Sequence, residues 1–377
     1  MCSYVYSAAM NAALRPSRTR PHSRLKRLIA PLVAPQVFDF WASRFHPTWT
    51  WERPLARIVA REPASADAVT LLLAPNRHWA GCRPGQHLMI GARIDGALVS
   101  RSYSAAQAHR ADGRIAITVK AIEGGKLSRH LHEHSQVGDV LEIGAAFGEM
   151  TLPERADGAW LFLAAGSGIT PLMSMVRELA AKGMPAELTL LYWARRREEL
   201  CFVDELRAIA AEHPGFRVRF LLTRQEPLHA DEAAGRIDEA LLSELVPDLG
   251  ARQVYACGPG GFVDSARALS QTQARSFAAE AFTPPPRRLD ESGTVEVTLA
   301  RSGRTLQLPR GQSLLTALEA EGLKLASGCR MGLCNTCSCG KSSGSTRHLH
   351  TGDVQDEPVS ALRLCVNSAG SDLVLDL

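Results

Sequence analysis

The sequence predicts three domains in a row: an antiparallel β-barrel, an α/β domain with a doubly wound parallel sheet, and a small α+β module of the β-grasp type. The chain has 377 residues, which is long for one domain and sufficient for three. Short alternating strands between Gly and Pro turns begin near Leu55, and strands that alternate with helices begin near Ala159. A proline-rich stretch then precedes a last segment of short strands and one helix.

Composition excludes several classes of protein. The chain is 45% hydrophobic and 22% charged, which is typical of globular proteins, and it has no apolar run of about 18 residues that could span a membrane. Its nine cysteines are an odd number, and four of them lie between positions 329 and 339. This pattern indicates thiolate chemistry in the cytoplasm rather than a disulfide framework.

The net charge of +4 is concentrated at the N-terminus. Residues 1–30 contain six basic side chains and no acidic one, which leaves −2 for residues 31–377. Because the body of the chain lacks a basic surface, we expect no nucleic-acid partner.

Residues 1–50 form a basic and aromatic N-terminal extension. The first part resembles a transit peptide in composition, and six of the 22 aromatic residues lie at positions 38–51. We favour a clasp whose aromatic rings pack on the next domain. The alternative is a basic, amphipathic segment that lies on a membrane, which would give peripheral association with the inner face of the cytoplasmic membrane.

Residues 51–153 are predicted to form the barrel, which carries two short motifs. The first is Arg101-Ser102-Tyr103-Ser104 at the end of a strand. The second is Gly124-Gly125-Lys126-Leu127-Ser128, directly before a short helix. Glycines at a helix start let backbone N–H groups approach a phosphate, and Ser128 is expected to cap this helix.

Residues 154–283 are predicted to form the α/β domain. Its first strand runs into a glycine-rich turn with Gly166, Gly168, Thr170 and Pro171, which is G-x-G-x-x-P rather than the usual dinucleotide pattern. Pro171 suits a first helical turn, where its missing N–H is not needed.

Arginines follow two strands of this domain, where a nucleotide 2′-phosphate would lie. Arg195 follows the second strand, and Thr223 and Arg224 end the third. Arginine recognises phosphate with two parallel hydrogen bonds, so we favour NADPH over NADH. Arg196 and Arg197 are equally compatible with a solvated run of charge.

Residues 284–292 are predicted to be a stiff proline-rich linker, and residues 293–377 the β-grasp module. Cys329, Cys334 and Cys337 have C-x4-C-x2-C spacing, and Cys365 follows on an expected strand. This is the plant-type spacing for a [2Fe–2S] cluster, whose irons require four thiolates. A structural zinc site would need a second knuckle, which is missing. We expect Cys339 to be a small buried side chain rather than a ligand.

Taken together in this order, the motifs resemble the ferredoxin–NADP reductase superfamily with a C-terminal plant-type ferredoxin domain. The resemblance covers residues 51–377. It implies that Arg101 holds flavin phosphate, that Tyr103 packs on the isoalloxazine, and that Ser104 bonds near its reactive nitrogen. The Gly124–Ser128 motif matches the pyrophosphate motif of FAD-binding members, so FAD is favoured over FMN.

The resemblance also assigns residues to the nicotinamide side. The turn with Gly166 and Gly168 would bind the nucleotide, with Thr170 near the nicotinamide. Cys257-Gly258-Pro259 matches the motif that puts a cysteine beside the site of hydride transfer. Glu280 and Phe282 match the family's E-x-F ending, which closes over the flavin.

The implied function is an NADPH-dependent reductase that passes electrons through FAD and the cluster to a separate protein. The sequence around the cysteines resembles reductases of membrane fatty-acyl desaturases. Reductases of soluble ring-hydroxylating oxygenases and other hydroxylases share the same layout, and a non-catalytic electron-transfer or redox-sensing subunit is the alternative from another class.

Overall fold

The computed structural model describes residues 34–108, 110, 112–283, 292–330, 332, 335–349 and 352–377. The predicted linker lies outside the described residues except for position 292, as does the predicted ligand Cys334 and most of the basic N-terminal extension. In the described part no helix is long and apolar enough to cross a membrane.

Six antiparallel strands close into a barrel, in the order β1-β2-β5-β4-β3-β6. Its elements are β1 (Leu55–Ser65), β2 (Ala68–Pro75), β3 (His87–Ile94), β4 (Ala97–Gln107), β5 (Ile115–Lys120) and β6 (Val140–Phe147). Alternate side chains of these strands, such as Ile58, Leu71 and Ile117, fill the interior. The predicted antiparallel barrel is therefore confirmed.

A nine-residue helical segment crosses the barrel between β5 and β6. It consists of helix α1 (Lys126–Arg129), which continues directly into a π-helical turn (His130–His134). Gly125 is the N-cap, with extended backbone. The prediction that Ser128 caps the helix is wrong, because Ser128 lies inside the first turn, where its hydroxyl accepts from the Ile122 N–H at 3.3 Å.

The second domain has a six-stranded, all-parallel sheet in the order β10-β9-β8-β7-β11-β12. Its strands are β7 (Ala159–Ala165), β8 (Glu187–Ala194), β9 (Phe216–Leu222), β10 (Glu232–Ala234), β11 (Gln253–Pro259) and β12 (Ser276–Thr283). Its helices are α2 (Ile169–Ala181), α3 (Val203–Glu212), α4 (Glu239–Leu245) and α5 (Gly260–Ser270). Successive residues of β7 point into two separate cores, with Phe162 in one and Leu161 in the other, because helices cover both faces.

The third domain has a mixed five-stranded sheet in the order β14-β13-β20-β15-β18 and a small sheet in the order β17-β16-β19. The strands are β13 (Thr294–Leu299), β14 (Arg304–Pro309), β15 (Ser338–Ser343), β16 (Thr346–His348), β17 (Val354–Gln355), β18 (Val359–Arg363), β19 (Asn367–Ala369) and β20 (Leu373–Leu375). Helix α6 (Leu314–Ala320) packs Leu314, Leu315 and Leu318 on its core. This is the predicted α+β arrangement.

One further helix, αN (Pro35–Phe45), precedes the barrel. Asp39 ties it down by accepting hydrogen bonds from the Trp51 N–H at 2.6 Å and from Arg53 at 2.9 Å. The rings of Phe38 and Trp51 meet edge to face at 5.2 Å. The favoured clasp is wrong for the other four aromatic residues, because large fractions of their surfaces are exposed: Phe40, Trp41, Phe45 and Trp49.

Candidate flavin, nucleotide and cluster site

A cavity of about 310 Å³ lies where the three domains meet. The barrel and helix α1 supply most of its predicted wall: Arg101, Ser102, Tyr103, Ser104, Gly125, Lys126, Leu127 and Ser128. Thr170 joins from helix α2 and Phe282 from strand β12, both in the second domain, and Cys329 joins from the C-terminal domain. The cavity therefore brings together residues that the sequence spreads over more than 220 positions.

Strand β4 carries the first motif into this cavity, and the expectation that the motif lies at a strand end is wrong, because β4 continues to Gln107. Burial raises the pKa of the Tyr103 phenol, so the phenol stays neutral and its ring offers an apolar face. The half-buried Arg101 has its pKa lowered, first by burial and then by the charge of Arg330 in the cluster loop. Arg330 in turn pairs with Glu319 of helix α6 at 2.5 Å. Arg101 and the cluster loop thus lie within electrostatic reach of each other.

The backbone of the second motif, Gly124–Ser128, has a conformation suited to binding a phosphate group. Gly124 has φ +71°, a conformation that favours glycine, and Gly125 follows in extended form without side-chain capping of the helix. A Cβ on Gly125 would lie 2.4 Å from the Ser128 hydroxyl, so a larger residue would not fit. Gly125, Lys126, Leu127 and Ser128 all line the cavity, so the start of the helical segment borders it, as an anionic ligand requires.

The glycine-rich turn of the nucleotide-binding domain packs closely against strand β11. A Cβ on Gly168 would lie only 2.0 Å from the Cys257 carbonyl oxygen, and one on Gly258 would lie 2.9 Å from Ala165. Gly166 has φ +54°, and Pro171 falls in the first turn of α2, as predicted. Thr170 donates to the Ser167 carbonyl at 2.9 Å and lines the cavity.

Cys257 and Glu280 lie beneath this turn rather than on the cavity wall. They are direct partners in the register of the parallel strands β11 and β12. Burial raises the pKa of the Cys257 thiol well above its usual value, and the charge of Glu280 raises it further, so Cys257 stays a neutral thiol.

His87 is a cavity residue that the sequence analysis missed. It lies opposite Ser104 across β3 and β4, and its ring contacts both Ser104 and Glu280. In the sequence it is one residue of an alternating strand, and nothing local distinguishes it from a core position.

A second cavity, of about 710 Å³, opens at the carboxyl ends of the parallel strands. Its predicted residues are Gly166, Arg195, Thr223, Arg224 and Pro259. Arg236, Ser265 and Trp193 line it as well and were not predicted. The buried indole N–H of Trp193 has no hydrogen-bond partner in the described part of the chain.

The two cavities share Lys120 and Ser167, so a ligand in one can reach a ligand in the other. Lys120 donates to Glu199 at 3.1 Å, and Arg195 donates to the same carboxylate oxygen at 3.1 Å. By contrast, Arg197 turns away and forms two bonds to Glu232, at 2.7 and 2.6 Å. Arg197 is therefore a structural residue rather than part of a solvated run.

Three of the four predicted cluster ligands are described. The thiols of Cys337 and Cys365 hydrogen-bond each other, which lowers the pKa of Cys337 and raises that of Cys365. Cys365 lies in the turn after β18, and the expectation that it lies on a strand is wrong. The Gly332 N–H points at the Cys365 sulfur, as a thin cluster loop requires.

The other two described cysteines of this region, Cys329 and Cys339, occupy different positions. Among the described residues, which exclude Cys334, no three potential ligands gather closely enough for one metal ion. Cys329 lies toward the flavin cavity, within electrostatic reach of Cys365. Two irons bridged by sulfides spread their thiolates over a wider span than one ion does. Burial raises the pKa of Cys339 to about 12, and this residue belongs to strand β15.

Comparison with known proteins matches each domain to a family. The matches are an oxidoreductase FAD-binding domain over residues 56–152, an oxidoreductase NAD-binding domain over residues 162–268 and a 2Fe-2S iron-sulfur cluster binding domain over residues 297–366. The three together cover the barrel, the parallel sheet and the cysteine loop.

Relatives match over almost the whole chain. An NADPH oxidoreductase of Mycobacterium tuberculosis is 34% identical over 94% of this chain and 92% of its own length. One component of the 1,2-phenylacetyl-CoA epoxidase of Escherichia coli is 31% identical, with coverages of 74% and 83%. The structure of phthalate dioxygenase reductase is similar with a TM-score of 0.59 and 27% identity, over 86% of this chain and 97% of that one.

Three domains in this order, the shared cavity and these relatives lead to one conclusion. The chain is an NAD(P)H-dependent flavoprotein oxidoreductase with FAD, NAD and [2Fe–2S] domains, and it belongs to the ferredoxin reductase superfamily with a C-terminal 2Fe-2S domain.

Proposed function

We propose that this chain oxidises NADPH and passes the electrons through FAD and a [2Fe–2S] cluster to a separate terminal acceptor. The observation that supports this most is the single cavity with Tyr103, Thr170 and Cys329 in its wall, one from each domain. A bound flavin accepts two electrons as a hydride and releases them singly, which is the conversion needed between a nicotinamide and a cluster.

We assign the flavin contacts to the barrel. Arg101 and Lys126 neutralise the phosphates of FAD, and Ser102 lies next to Arg101 inside strand β4. The backbone at Gly124, Gly125, Leu127 and Ser128 binds the pyrophosphate. Tyr103 packs on the ring, and Ser104 bonds at its reactive edge. The burial of Tyr103 and Ser104 and the open helix start support these roles.

The nucleotide-binding domain orients the nicotinamide for hydride transfer. Gly166, Gly168 and Pro171 shape the turn, Thr170 holds the ring, and Cys257 with Gly258 and Pro259 forms the floor. Glu280 and Phe282 close the site from strand β12. These residues exclude water and fix the distance between the rings, and proximity of that kind is a large part of catalysis.

We assign Cys329, Cys334, Cys337 and Cys365 as the cluster ligands. The contact between the thiols of Cys337 and Cys365 and the position of Cys329 on the cavity wall support this set. Electrons therefore leave the flavin toward Cys329 and leave the protein from the cluster loop.

We propose a membrane-bound desaturase of the fatty-acyl class as the acceptor. Five of the ten large apolar side chains that are exposed in the described residues lie between positions 37 and 49. On helix αN four of them, Val37, Phe40, Trp41 and Phe45, have the i, i+3, i+4, i+8 spacing of one helix face. Six basic residues precede this face and complement an anionic bilayer. The relatives named as epoxidase and dioxygenase components support an oxygenase as the alternative acceptor.

The test is reduction under anaerobic conditions. Purified protein should contain FAD and show cluster absorbance, and NADPH should bleach the flavin within the dead time of manual mixing. Substitution by Ser at any of the four ligands should remove the cluster and leave the flavin reducible. Cys339→Ser is the matched control and should keep the cluster. A cluster kept in Cys337→Ser and lost in Cys339→Ser would contradict the ligand set.

A further inference from the structure

A polar interface joins the barrel to the parallel-sheet domain beside the two cavities. On the barrel side are the turn between β1 and β2 and the end of β5, and on the other side is the loop after β8. The Ala66 N–H donates to the Glu198 carbonyl at 2.9 Å, and Lys120 donates to the Glu199 carboxylate at 3.1 Å. The loop that makes both contacts begins at Arg195, so the interface and the second cavity share one segment of the chain.

One oxygen of Glu199 accepts hydrogen bonds from two cations that belong to different domains. Oε2 accepts from Lys120 Nζ of the barrel and from Arg195 Nε of the nucleotide-binding domain, each at 3.1 Å. The side chain of Glu199 is only 13% exposed, so water competes little for this oxygen. Lys120 also pairs with Asp67 of its own domain, at 2.8 Å. Lys120 is thus fixed to both domains, and Glu199 connects it to Arg195.

Arg195 uses one of its donors for this contact. A guanidinium has five N–H donors, and within the described residues the Arg195 side chain forms a hydrogen bond only through Nε. The side chain is 54% exposed and lines the second cavity. A phosphate can therefore bind at the terminal nitrogens while Nε stays on Glu199. Phosphate, Arg195, Glu199 and Lys120 would then form a row of alternating charges that ends on barrel strand β5.

The strength of this row depends on whether its outer end is occupied. Without a phosphate, Arg195 is the last charge of the row, and an exposed ion pair of this kind is weak. A dianionic phosphate holds Arg195 from the other side, which favours its contact with Glu199 and, through Glu199, the contact with Lys120. The binding free energy of a group that takes no part in the reaction can in this way align the two domains for the reaction.

We propose that Glu199 is a positioning residue that transmits the binding of the nucleotide 2′-phosphate at Arg195 to the barrel through Lys120; this rests on the proposed function. NADPH occupies the outer end of the row and NADH leaves it empty. The 2′-phosphate therefore speeds hydride transfer at saturation in addition to tightening the binding of the nucleotide. Glu199 acts through its two cations and not on the reacting atoms.

The experiment separates binding from hydride transfer by stopped-flow reduction of the FAD at rising concentrations of NADPH or NADH. In the wild type the limiting rate with NADPH should exceed that with NADH by about tenfold, because small misplacements of reacting groups are costly. Glu199→Gln keeps the size of the side chain and removes its charge. It should lower the limiting rate with NADPH to that with NADH and leave the rate with NADH within about twofold of the wild type.

Two matched variants show whether the bridge is the cause. Glu198→Gln removes the neighbouring carboxylate, which is 50% exposed and lies 3.8 Å from Arg196. Asp67→Asn removes the other carboxylate on Lys120, which is not part of the row to Arg195. Both variants should keep the wild-type ratio of the two limiting rates. Loss of the ratio in Asp67→Asn would assign the effect to the environment of Lys120 and overturn the bridge.

A second measurement does not depend on hydride transfer. The probe is 2′,5′-ADP, which carries the 2′-phosphate and has no nicotinamide. Its binding should shift the visible absorbance of the FAD in the wild type, because Lys120 lines the flavin cavity, and Glu199→Gln should abolish this shift. The Kd from calorimetry should stay within about threefold, since the lost negative charge and the loosened arginine have opposite effects on phosphate binding. The control ligand is 5′-AMP, which should leave the spectrum unchanged.

Three outcomes would overturn the link between Arg195 and the barrel. They are an unchanged ratio of limiting rates in Glu199→Gln, equal limiting rates for the two nucleotides in the wild type, and an absorbance shift that persists in Glu199→Gln. Binding of 2′,5′-ADP that is about tenfold weaker in Glu199→Gln, with an unchanged limiting rate, would show that Glu199 only holds Arg195. A wild type that neither nucleotide reduces contradicts the proposed function, and the absorbance shift still tests the link in that protein.

Discussion

Arg195 and Arg224 follow neighbouring strands, and their backbones are joined by a hydrogen bond of 2.9 Å from the Arg224 N–H to the Arg195 carbonyl. Both line the second cavity together with Arg236. The guanidinium of Arg195 is fixed by Glu199, whereas the side chain of Arg224 is exposed. Three cations at one cavity edge suit a dianionic phosphate, which NADPH has at this position and NADH lacks.

Replacing Arg195 and Arg224 together by Ala should raise the KM for NADPH by tenfold or more and leave the KM for NADH nearly unchanged. Each lost charge-assisted contact costs about 1.5–3 kcal/mol. Steady-state reduction of ferricyanide with both nucleotides measures this. Arg196→Ala is the matched control, since that exposed arginine does not line the cavity. Equal changes for both nucleotides would refute the assignment.

Residues that belong to short motifs could be predicted from sequence, and residues that depend on distant contacts could not. Gly125, Gly168 and the strand-end arginines are specified by local chain geometry, so spacing alone indicates them. His87 acquires its partner from a strand 193 positions away, and no local pattern records that contact. Arg236 follows strand β10, whose three residues are too few to give a periodic signal.

At the level of elements, helix αN shows how a sequence pattern can be recognised and still be assigned to the wrong surface. The aromatic cluster was expected to pack inward, but of the apolar residues on this helix only Phe38 and Ala42 face the protein. Asp39 fixes the orientation of the helix through its hydrogen bonds to Trp51 and Arg53, so the opposite, aromatic face of the helix stays exposed to solvent. The side of a helix that is buried depends on such anchors as well as on periodicity.

Replacing Trp41 and Phe45 by Ser should reduce binding to vesicles of phosphatidylglycerol and phosphatidylcholine by tenfold or more. Burial of each large aromatic side chain contributes about 1.5–3 kcal/mol. Co-sedimentation with the vesicles measures the binding. Added salt should weaken the residual binding of the variant, because the charges of the basic segment act only over a screened distance of about 8–10 Å.

The control for this prediction is Leu228→Ser, which removes an exposed apolar side chain from another surface. It should bind vesicles like the wild type, and all variants should reduce ferricyanide with NADPH at the same rate. Wild-type vesicle binding in the Trp41 and Phe45 variant would contradict a membrane-bound acceptor and favour a soluble oxygenase.

At the level of the whole molecule, Arg177 links the barrel to the parallel-sheet domain. It lies on helix α2 and forms two bonds to Glu205 of α3, at 2.7 and 2.6 Å. Its third bond reaches the Ala106 carbonyl of barrel strand β4 at 2.7 Å. One guanidinium therefore helps to fix the parallel-sheet domain relative to the barrel.

Arg177→Ala should slow flavin reduction by about tenfold at saturating NADPH, because small misplacements of reacting groups are costly. Arg207→Ala is the matched control, since Arg207 forms a similar two-bond pair with Asp231 inside one domain, at 2.7 and 3.0 Å. It should lower the melting temperature without changing the reduction rate. If Arg177→Ala reduced the flavin as fast as Arg207→Ala does, Arg177 would have no part in aligning the two domains.

The position of Cys329 in the wall of the flavin cavity determines the molecularity of electron transfer. The flavin site and the cluster loop belong to one chain and border the same cavity. Electron transfer between them is therefore a first-order step, and its rate does not change when the protein is diluted. Only two encounters remain bimolecular, the arrival of the nucleotide and the docking of the terminal protein. Dilution therefore slows these two encounters and leaves the internal step unchanged.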